Sequence, residues 1–400
     1  MPNGLTVTLG VGGAAYQKTL TTNLLQAGML RRVMKTGPRL EIQDPGPEGS
    51  LNVIERFPTM QFVNRALWGV WRRLPQILNL PQPATINVIL VDELWSRWIP
   101  PCTIFHGWMG FSLASLQVAK RQGALALIEN AGRHPRHWEQ VAQEEYAHFD
   151  VPRAERRPLL GQRLVRRMER EYELCNCIAV PSSLAHHSFA EFGLGKKAVV
   201  VLLGTDTQFF SPPLRAEQSR LFRVLFVGRV ELAKGIGYLL QAWRRLSLPN
   251  AELVLVGEIK REMNSLLRTY ADSTVRTTGP QFPEQVAARY KESSLFVLPS
   301  ANEGLAQVML EAMSSGLPVI TTNMSGAYDC MEDRKEGLIV PARDVDALAD
   351  AILWCYRHPD ESRAMGQAAR ARIESQFTLE HYNQRQIALY RRLAAIKGAA

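Results

Sequence analysis

Four hundred residues with a mass of 44.9 kDa are too many for one ordinary core and suit two domains. With 46% hydrophobic and 21% charged residues the chain is globular, which excludes a disordered, collagen-like or small disulfide-stapled protein. The formal charge of +9 leans to the first half and suits an anionic partner, whether sugar nucleotide, anionic lipid or nucleic acid.

Short apolar, β-branched runs alternate with longer helical patterns along almost the whole chain. In the first half the predicted strands are 5–9, 51–54, 86–91, 102–105, 124–128, 177–180 and 199–202. In the second half they are 223–227, 252–256, 295–298, 319–322 and 338–340. Each of these later runs is almost continuously apolar, as in strands covered on both faces of a parallel sheet. Helical patterns fall between them at 237–246, 282–291, 306–314 and 345–356, and the last one runs over 379–396. Alternation on this scale predicts a doubly wound α/β architecture. The stretch from Gly204 to Pro213 follows a strand and ends in two prolines, so 206–221 reads as a linker between two βα series.

Chain-wide features narrow the setting. No apolar run reaches the roughly 18 residues of a spanning helix, and Met1-Pro2-Asn3-Gly4 lacks the opening of a secretory signal. Cys102, Cys175, Cys177, Cys330 and Cys355 form an odd, scattered set in which the Cys175-x-Cys177 pair reads as core. We therefore expect a cytoplasmic protein with no disulfides.

Three stretches carry candidate chemistry. Gly10-Val11-Gly12-Gly13-Ala14-Ala15 follows the first strand, and its glycines, Gly12 and Gly13 among them, would let the backbone approach a phosphate at a helix N-terminus. A nicotinamide dinucleotide would also need an acidic ribose partner about 20 residues on, where this chain carries Arg31, Arg32 and Lys35. In 226–235, a strand ends at Gly228, and Arg229 and Lys234 precede a helix near Gly235. Two cations beside a helix N-terminus make a diphosphate site, the alternative being two solvated loop cations. In 303–313, Glu303 lies in the loop after strand 295–298, and the helix is predicted to start near Gly304–Leu305. Glu303 can grip sugar hydroxyls, free N–H groups at Gly304, Leu305 and Ala306 can hold phosphate oxygens, and Glu311, two turns in, can accept both hydroxyls of a ribose. The plain alternative makes Glu303 an N-cap acid and Glu311 a surface residue.

Two weaker candidates sit in the first half. Phe105-His106-Gly107-Trp108 follows a short strand, which would turn His106 to a cleft unless it is a buried structural histidine. In 129–135, Arg133 or His134 could bind an acceptor or a phosphate, against a plain loop. Asp344-x-Asp346 sits at a helix start, where aspartate caps free N–H groups, and no cluster has metal-ligand spacing, so no metal is expected.

Gly228-Arg229, Lys234-Gly235, Glu303-x7-Glu311 and Glu311-Ala312-Met313-x2-Gly316-x-Pro318-Val319-Ile320, in that order and spacing, resemble the family 4 retaining glycosyltransferases of the GT-B fold. Gly204-x-Asp206-x3-Phe210 and the helix start at Pro341–Ala349 resemble further segments of that family, as does 171–182, where Cys175-Asn176 replaces the usual Ala-Asp. The resemblance is strong over 177–360 and loose before that. It implies two Rossmann-like domains facing across a cleft: an acceptor domain at 1–205, a linker at 206–221, a nucleotide-sugar donor domain at 222–375, and a helix at 376–400 that packs back on the first domain.

The resemblance also implies an activity: transfer of a sugar from a nucleotide diphosphate sugar to an acceptor hydroxyl with retention, without metal or bound cofactor, in polysaccharide or glycolipid assembly. Arg229 and Lys234 would carry the diphosphate, Glu303 the donor sugar and Glu311 the ribose, with His106 near the reacting carbon. Partners would be the donor and a sugar or lipid-linked acceptor, not nucleic acid. Two tryptophans among arginines at 66–78, and seven arginines within 152–170, suggest an anionic membrane surface as well. A catalytically silent partner subunit, a nicotinamide-dependent oxidoreductase and a pyridoxal-dependent phosphorylase stay open as alternatives.

Overall fold

The computed structural model describes residues 5–11, 16–35, 53–55, 83–156, 161–213 and 221–398. Gly12, Gly13 and the tryptophan-arginine stretch at 66–78 lie outside the described residues, as do 157–160 of the arginine-rich stretch and 214–220 of the linker.

The first sheet contains β1 (Val7–Val11), β2 (Leu30–Lys35), β3 (Val53–Glu55), β4 (Ile104–Trp108), β5 (Leu125–Glu129), β6 (Cys177–Val180) and β7 (Ala198–Val200). Their spatial order is β3-β2-β1-β4-β5-β6-β7, and every pairing is parallel. The helices of this half are α1 (Tyr16–Gln26), α2 (Pro83–Ser96), α3 (Leu113–Arg121), α4 (Pro135–His148), α5 (Gln162–Leu174) and α6 (Ser183–Ala190). The second sheet contains β8 (Phe222–Val227), β9 (Ala251–Val256), β10 (Val275–Gly279), β11 (Leu295–Leu298), β12 (Val319–Thr322) and β13 (Gly337–Val340). Its order is β10-β9-β8-β11-β12-β13, again all parallel. Around and after it lie α7 (Ile236–Leu246), α8 (Asn264–Tyr270), α9 (Pro283–Glu292), α10 (Gln307–Ser314), α11 (Val345–Arg357), α12 (Pro359–Gln376) and α13 (Leu379–Gly398).

Strands β5, β6, β8, β9, β11 and β12 are almost wholly buried, which is why their sequences are apolar at successive positions and not at alternate ones. The predicted doubly wound α/β class is thus present in both halves. One predicted strand is a correction: 86–91 lies inside α2. Its apolar residues serve helical spacing, with Val88, Val91 and Trp95 buried while Ile89 and Leu90 are exposed. Two strands were not foreseen. In β2, arginines precede the buried Val33 and Met34, and β10 is an edge strand with an exposed, polar sequence.

The strand order reverses between β1 and β4 in one sheet and between β8 and β11 in the other. In open parallel sheets, ligands bind at the carboxyl ends on either side of such a reversal. The two carboxyl edges are tied to each other. Ser182 donates to the Gly304 carbonyl at 2.7 Å, the Ser183 backbone and hydroxyl both donate to Asp329, and Arg343 pairs with Glu144 and the buried Glu145 at 2.6 and 2.7 Å. Thr205 forms a parallel bridge with Thr378, so the chain leaves the first sheet beside the turn from α12 into α13. Helix α13 then lies against α1 and β5 of the first half. Among the described residues, no helix is long and apolar enough to cross a membrane.

Candidate active site

The second sheet supplies the charged part of the site. Past β8 the chain turns at Gly228, and Leu232–Lys234 forms a single 3-10 turn before α7. Gly235 joins the two at φ +71°, and a Cβ there would stand 1.8 Å from the Pro299 carbonyl oxygen, so only glycine fits. The turn brings Lys234 Nζ onto the Glu303 carboxylate, both side chains being largely buried. Arg229, in the same loop, pairs with the buried Glu231 at 3.1 Å but leaves 58% of its side chain exposed. A backbone bond from Ala301 to Ala233 holds these loops side by side, and one from Glu303 to Met324 ties the second to the loop after β12, each 3.0 Å.

Helix α10 begins at Gln307, not at Gly304–Leu305 as predicted. Gly304, Leu305 and Ala306 are buried in the loop that approaches it. Gly304 is the point where the domains touch: a Cβ on it would meet Gly132 Cα at 2.6 Å. Ala306 stands at the N-cap and has no side-chain acceptor, so the helix N-terminus expected near Gly304–Leu305 lies at Ala306–Gln307 instead. Glu311 accordingly lies one turn into α10, not two. It is half-buried, and the Tyr290 hydroxyl donates to its Oε2 at 3.2 Å. Burial pushes its carboxyl up to about 7, with the tyrosine bond acting in the opposite direction.

The first sheet places its candidates differently. His106 lies within β4, not after it, and is 4% exposed. Its Nδ1 shares a 2.6 Å hydrogen bond with the Tyr390 hydroxyl of α13, and its Nε2 lies 3.1 Å from Glu129 Oε2. The Nδ1 bond and the burial of the ring correct the predicted position: His106 lies inside β4, between β5 and α13, and not in a loop after the strand. Tyr382, one further residue of α13, donates to the other Glu129 oxygen at 3.2 Å. His134 is also buried. It caps α4 by accepting from the Arg136 amide at 3.4 Å and stacks on Phe192 at 4.1 Å between ring centres. Burial drives its imidazole down to about 4, so at neutral pH it caps α4 as an uncharged ring. Arg133 does reach the second domain: its guanidinium donates to Asn302 Oδ1, beside Glu303, at 3.3 Å. Asp344 caps α11 through the Ala347 amide at 2.9 Å.

The structure thus brings Arg229, Lys234, Glu303, Gly304 and Glu311 to one carboxyl edge and Arg133 to its rim, and it buries His106 and His134 within the first half. Tyr290, Asn302, Tyr382 and Tyr390 escaped the sequence analysis, whereas Glu129 opens the 129–135 stretch named there. Tyr390 stands 284 positions from His106, a pairing that local spacing does not encode.

Residues 222–358 match the family described as "Glycosyl transferases group 1". In structure, the chain is similar to sucrose-phosphate synthase of Thermosynechococcus elongatus, with a TM-score of 0.68 at 20% identity over 98% of this chain and 100% of that one. It is also similar to Anabaena HepE in complex with UDP-glucose, with a TM-score of 0.64 at 14% identity over 99% and 100%. The fold is GT-B. In sequence, the chain is 27% identical over 219 residues to the amylovoran biosynthesis glycosyltransferase AmsK of Erwinia amylovora, covering 52% of this chain and 54% of AmsK. It is 29% identical over 219 residues to a D-inositol 3-phosphate glycosyltransferase of Corynebacterium urealyticum, covering 49% and 51%. The chain spans about half the length of these curated relatives. The resemblance to family 4 glycosyltransferases therefore holds, with its sequence evidence concentrated on the domain that carries Arg229, Lys234, Glu303 and Glu311.

Proposed function

We propose that this GT-B protein is a retaining glycosyltransferase that moves a sugar from a nucleotide diphosphate sugar to an acceptor hydroxyl in polysaccharide or glycolipid assembly. The observation that carries it is the convergence of two cations and two carboxylates on the loops after β8 and β11 and the start of α10, at the reversal of strand order. The relatives' names point the same way: amylovoran biosynthesis for one, UDP-glucose bound to another.

In this mechanism the bond between the anomeric carbon and the diphosphate breaks, and its electron pair stays on the phosphate oxygen. Arg229 and Lys234 stabilise the charge that builds there, an interaction stronger in the transition state than in the ground state. Lys234 must first share or release Glu303, which then turns to the sugar hydroxyls. Glu311 accepts the ribose hydroxyls. The acceptor oxygen bonds to the same face of the anomeric carbon, and its proton passes to the leaving phosphate, so neither a protein nucleophile nor a metal enters the scheme.

Arg163, Arg166 and Arg170 form an exposed stripe on α5, whose Leu164 and Met168 cover the Gly110 turn after β4. This stripe is the reading's acceptor side: it suits peripheral docking to an anionic membrane that bears a lipid-linked acceptor. Five free cysteines, four of them buried, suit cytoplasmic work.

The test is turnover with UDP-, GDP- and ADP-sugars, followed by Arg229→Ala and Lys234→Ala with the donor that serves. Each variant is expected to lower kcat more than it raises KM. An effect confined to KM means that the cations grip the ground state alone, and absence of donor turnover with an intact site favours the silent-subunit alternative.

A further inference from the structure

Tyr290 lies on α9, outside every motif, and is completely buried. Its ring is boxed by Phe210 at the end of the first half and by Phe296 of β11, each 5.8 Å away between centres and edge-on. Packing on both sides leaves the hydroxyl one position, 3.2 Å from Glu311 Oε2 and 3.1 Å from the Val308 carbonyl. A phenol has one proton for these two acceptors. When Glu311 is ionised, the proton serves the carboxylate. When Glu311 is protonated, the carboxyl can donate to the phenol oxygen, and the phenol proton turns to Val308. In either state Oε2 is held, while Oε1 has no partner among the described residues.

A carboxylate that accepts a diol must be fixed in rotamer and left with free acceptor capacity. Glu311 meets both conditions, and Tyr290 supplies the first. We propose that Tyr290 is the positioning residue of the donor site, holding the Glu311 carboxylate in the orientation that a ribose diol requires. The inference rests on the assignment of Glu311 to the ribose.

Burial and the Tyr290 hydroxyl are the two influences on Glu311 ionisation. Ribose hydroxyls donate to the ionised form, so nucleotide affinity should fall as pH drops through neutrality. Removing the hydroxyl should move that fall to higher pH, which a purely structural role of the ring would not do.

The experiment is calorimetric titration of wild type, Tyr290→Phe and Glu311→Gln with UDP, GDP and ADP in turn, with inorganic pyrophosphate as the phosphate-only probe, between pH 6 and 9. Tyr290→Phe retains the packed ring. It is expected to weaken the nucleoside diphosphate by about three- to tenfold, to leave pyrophosphate unchanged, and to shift the midpoint of the pH dependence upward. If Glu311→Gln weakens the nucleotide while Tyr290→Phe changes neither affinity nor midpoint, the positioning role is overturned and the ribose assignment stands. Equal loss of pyrophosphate in Tyr290→Phe also overturns it, because the defect is then general. If Glu311→Gln itself leaves nucleotide affinity unchanged, the ribose assignment falls, and the positioning role falls with it.

Discussion

The two sheets present the same kind of edge and use it in opposite ways. At the carboxyl ends of β4 and β5, the ionisable groups are buried among one another: His106 bonds Tyr390 and lies beside Glu129, Glu129 accepts from Tyr382, and His134 accepts from the Arg136 amide of α4. At the ends of β8 and β11, Arg229 stays largely in solvent, Lys234 and Glu303 pair largely buried between the two loops, and Glu311 has one oxygen without a partner among the described residues. One edge is sealed by contacts from distant parts of the chain, and the other pairs its charges within neighbouring loops. Under the proposed function the difference divides labour: the sealed edge would define shape, while the open edge would exchange its internal ion pairs for those of a charged ligand.

The strongest way to break this comparison is through the backbone under the open edge. Gly235 and Gly28 both have left-handed backbones, at φ +71° and +65°, but a Cβ on Gly28 meets nothing within 4 Å, whereas one on Gly235 strikes the Pro299 carbonyl. Gly28→Ala is expected to cost about 1–2 kcal/mol, the ordinary left-handed penalty. Gly235→Ala should cost more than about 4 kcal/mol, because the main chain of the β11 exit must move. Urea unfolding of both variants checks the pair, and similar losses would mean that the loop after β8 has slack.

The sealed edge has a pH signature. His134 titrates near 4 in the folded protein because burial disfavours its cation, against 6.5 for an exposed histidine. A depressed folded value means that the stability is present above pH 6.5 and is lost as pH falls towards 4, by about 3 kcal/mol in all. His134→Asn retains a capping side chain and removes the titration. The stability difference between variant and wild type should therefore swing in the variant's favour over that window. Parallel curves would place His134 in solvent and reopen its assignment to a ligand.

How much was legible follows the same division. Strands β6, β11 and β12 fall on their predicted bounds, because a strand buried on both faces has an apolar sequence that no helix of that length shares. The loop cations and the Glu303–Glu311 spacing were legible for a related reason: each lies within a few residues of the strand that aims it. Strand β2 and helix α2 were misread because two arginines interrupt one and β-branched residues crowd the other. The start of α10 was placed early because Gly304, which looks like part of a helix start, is required by the approach of Gly132 from the first domain. His106 was aimed at the cleft because nothing near it in sequence reveals that α13 returns to cover it.

That last misreading yields the smallest and most discriminating prediction. Tyr390→Phe retains the edge-on contact of the ring with His106, whose centre lies 5.8 Å away, and removes only the hydroxyl. His106 Nδ1 is then left buried without its 2.6 Å partner, which should cost about 1–2 kcal/mol in chemical denaturation. If the edge is sealed, donor affinity and kcat should stay at wild-type values, since His106 would touch no substrate and the packing around it would hold the ring. If His106 instead reaches the donor sugar in the working enzyme, the freed ring would turn, and kcat would fall by more than the stability loss explains. Measuring kcat well below the melting range, where the variant is fully folded, separates the two. An unchanged kcat beside a measurable loss of stability keeps the first edge as the frame of the site and leaves its charge chemistry to the second.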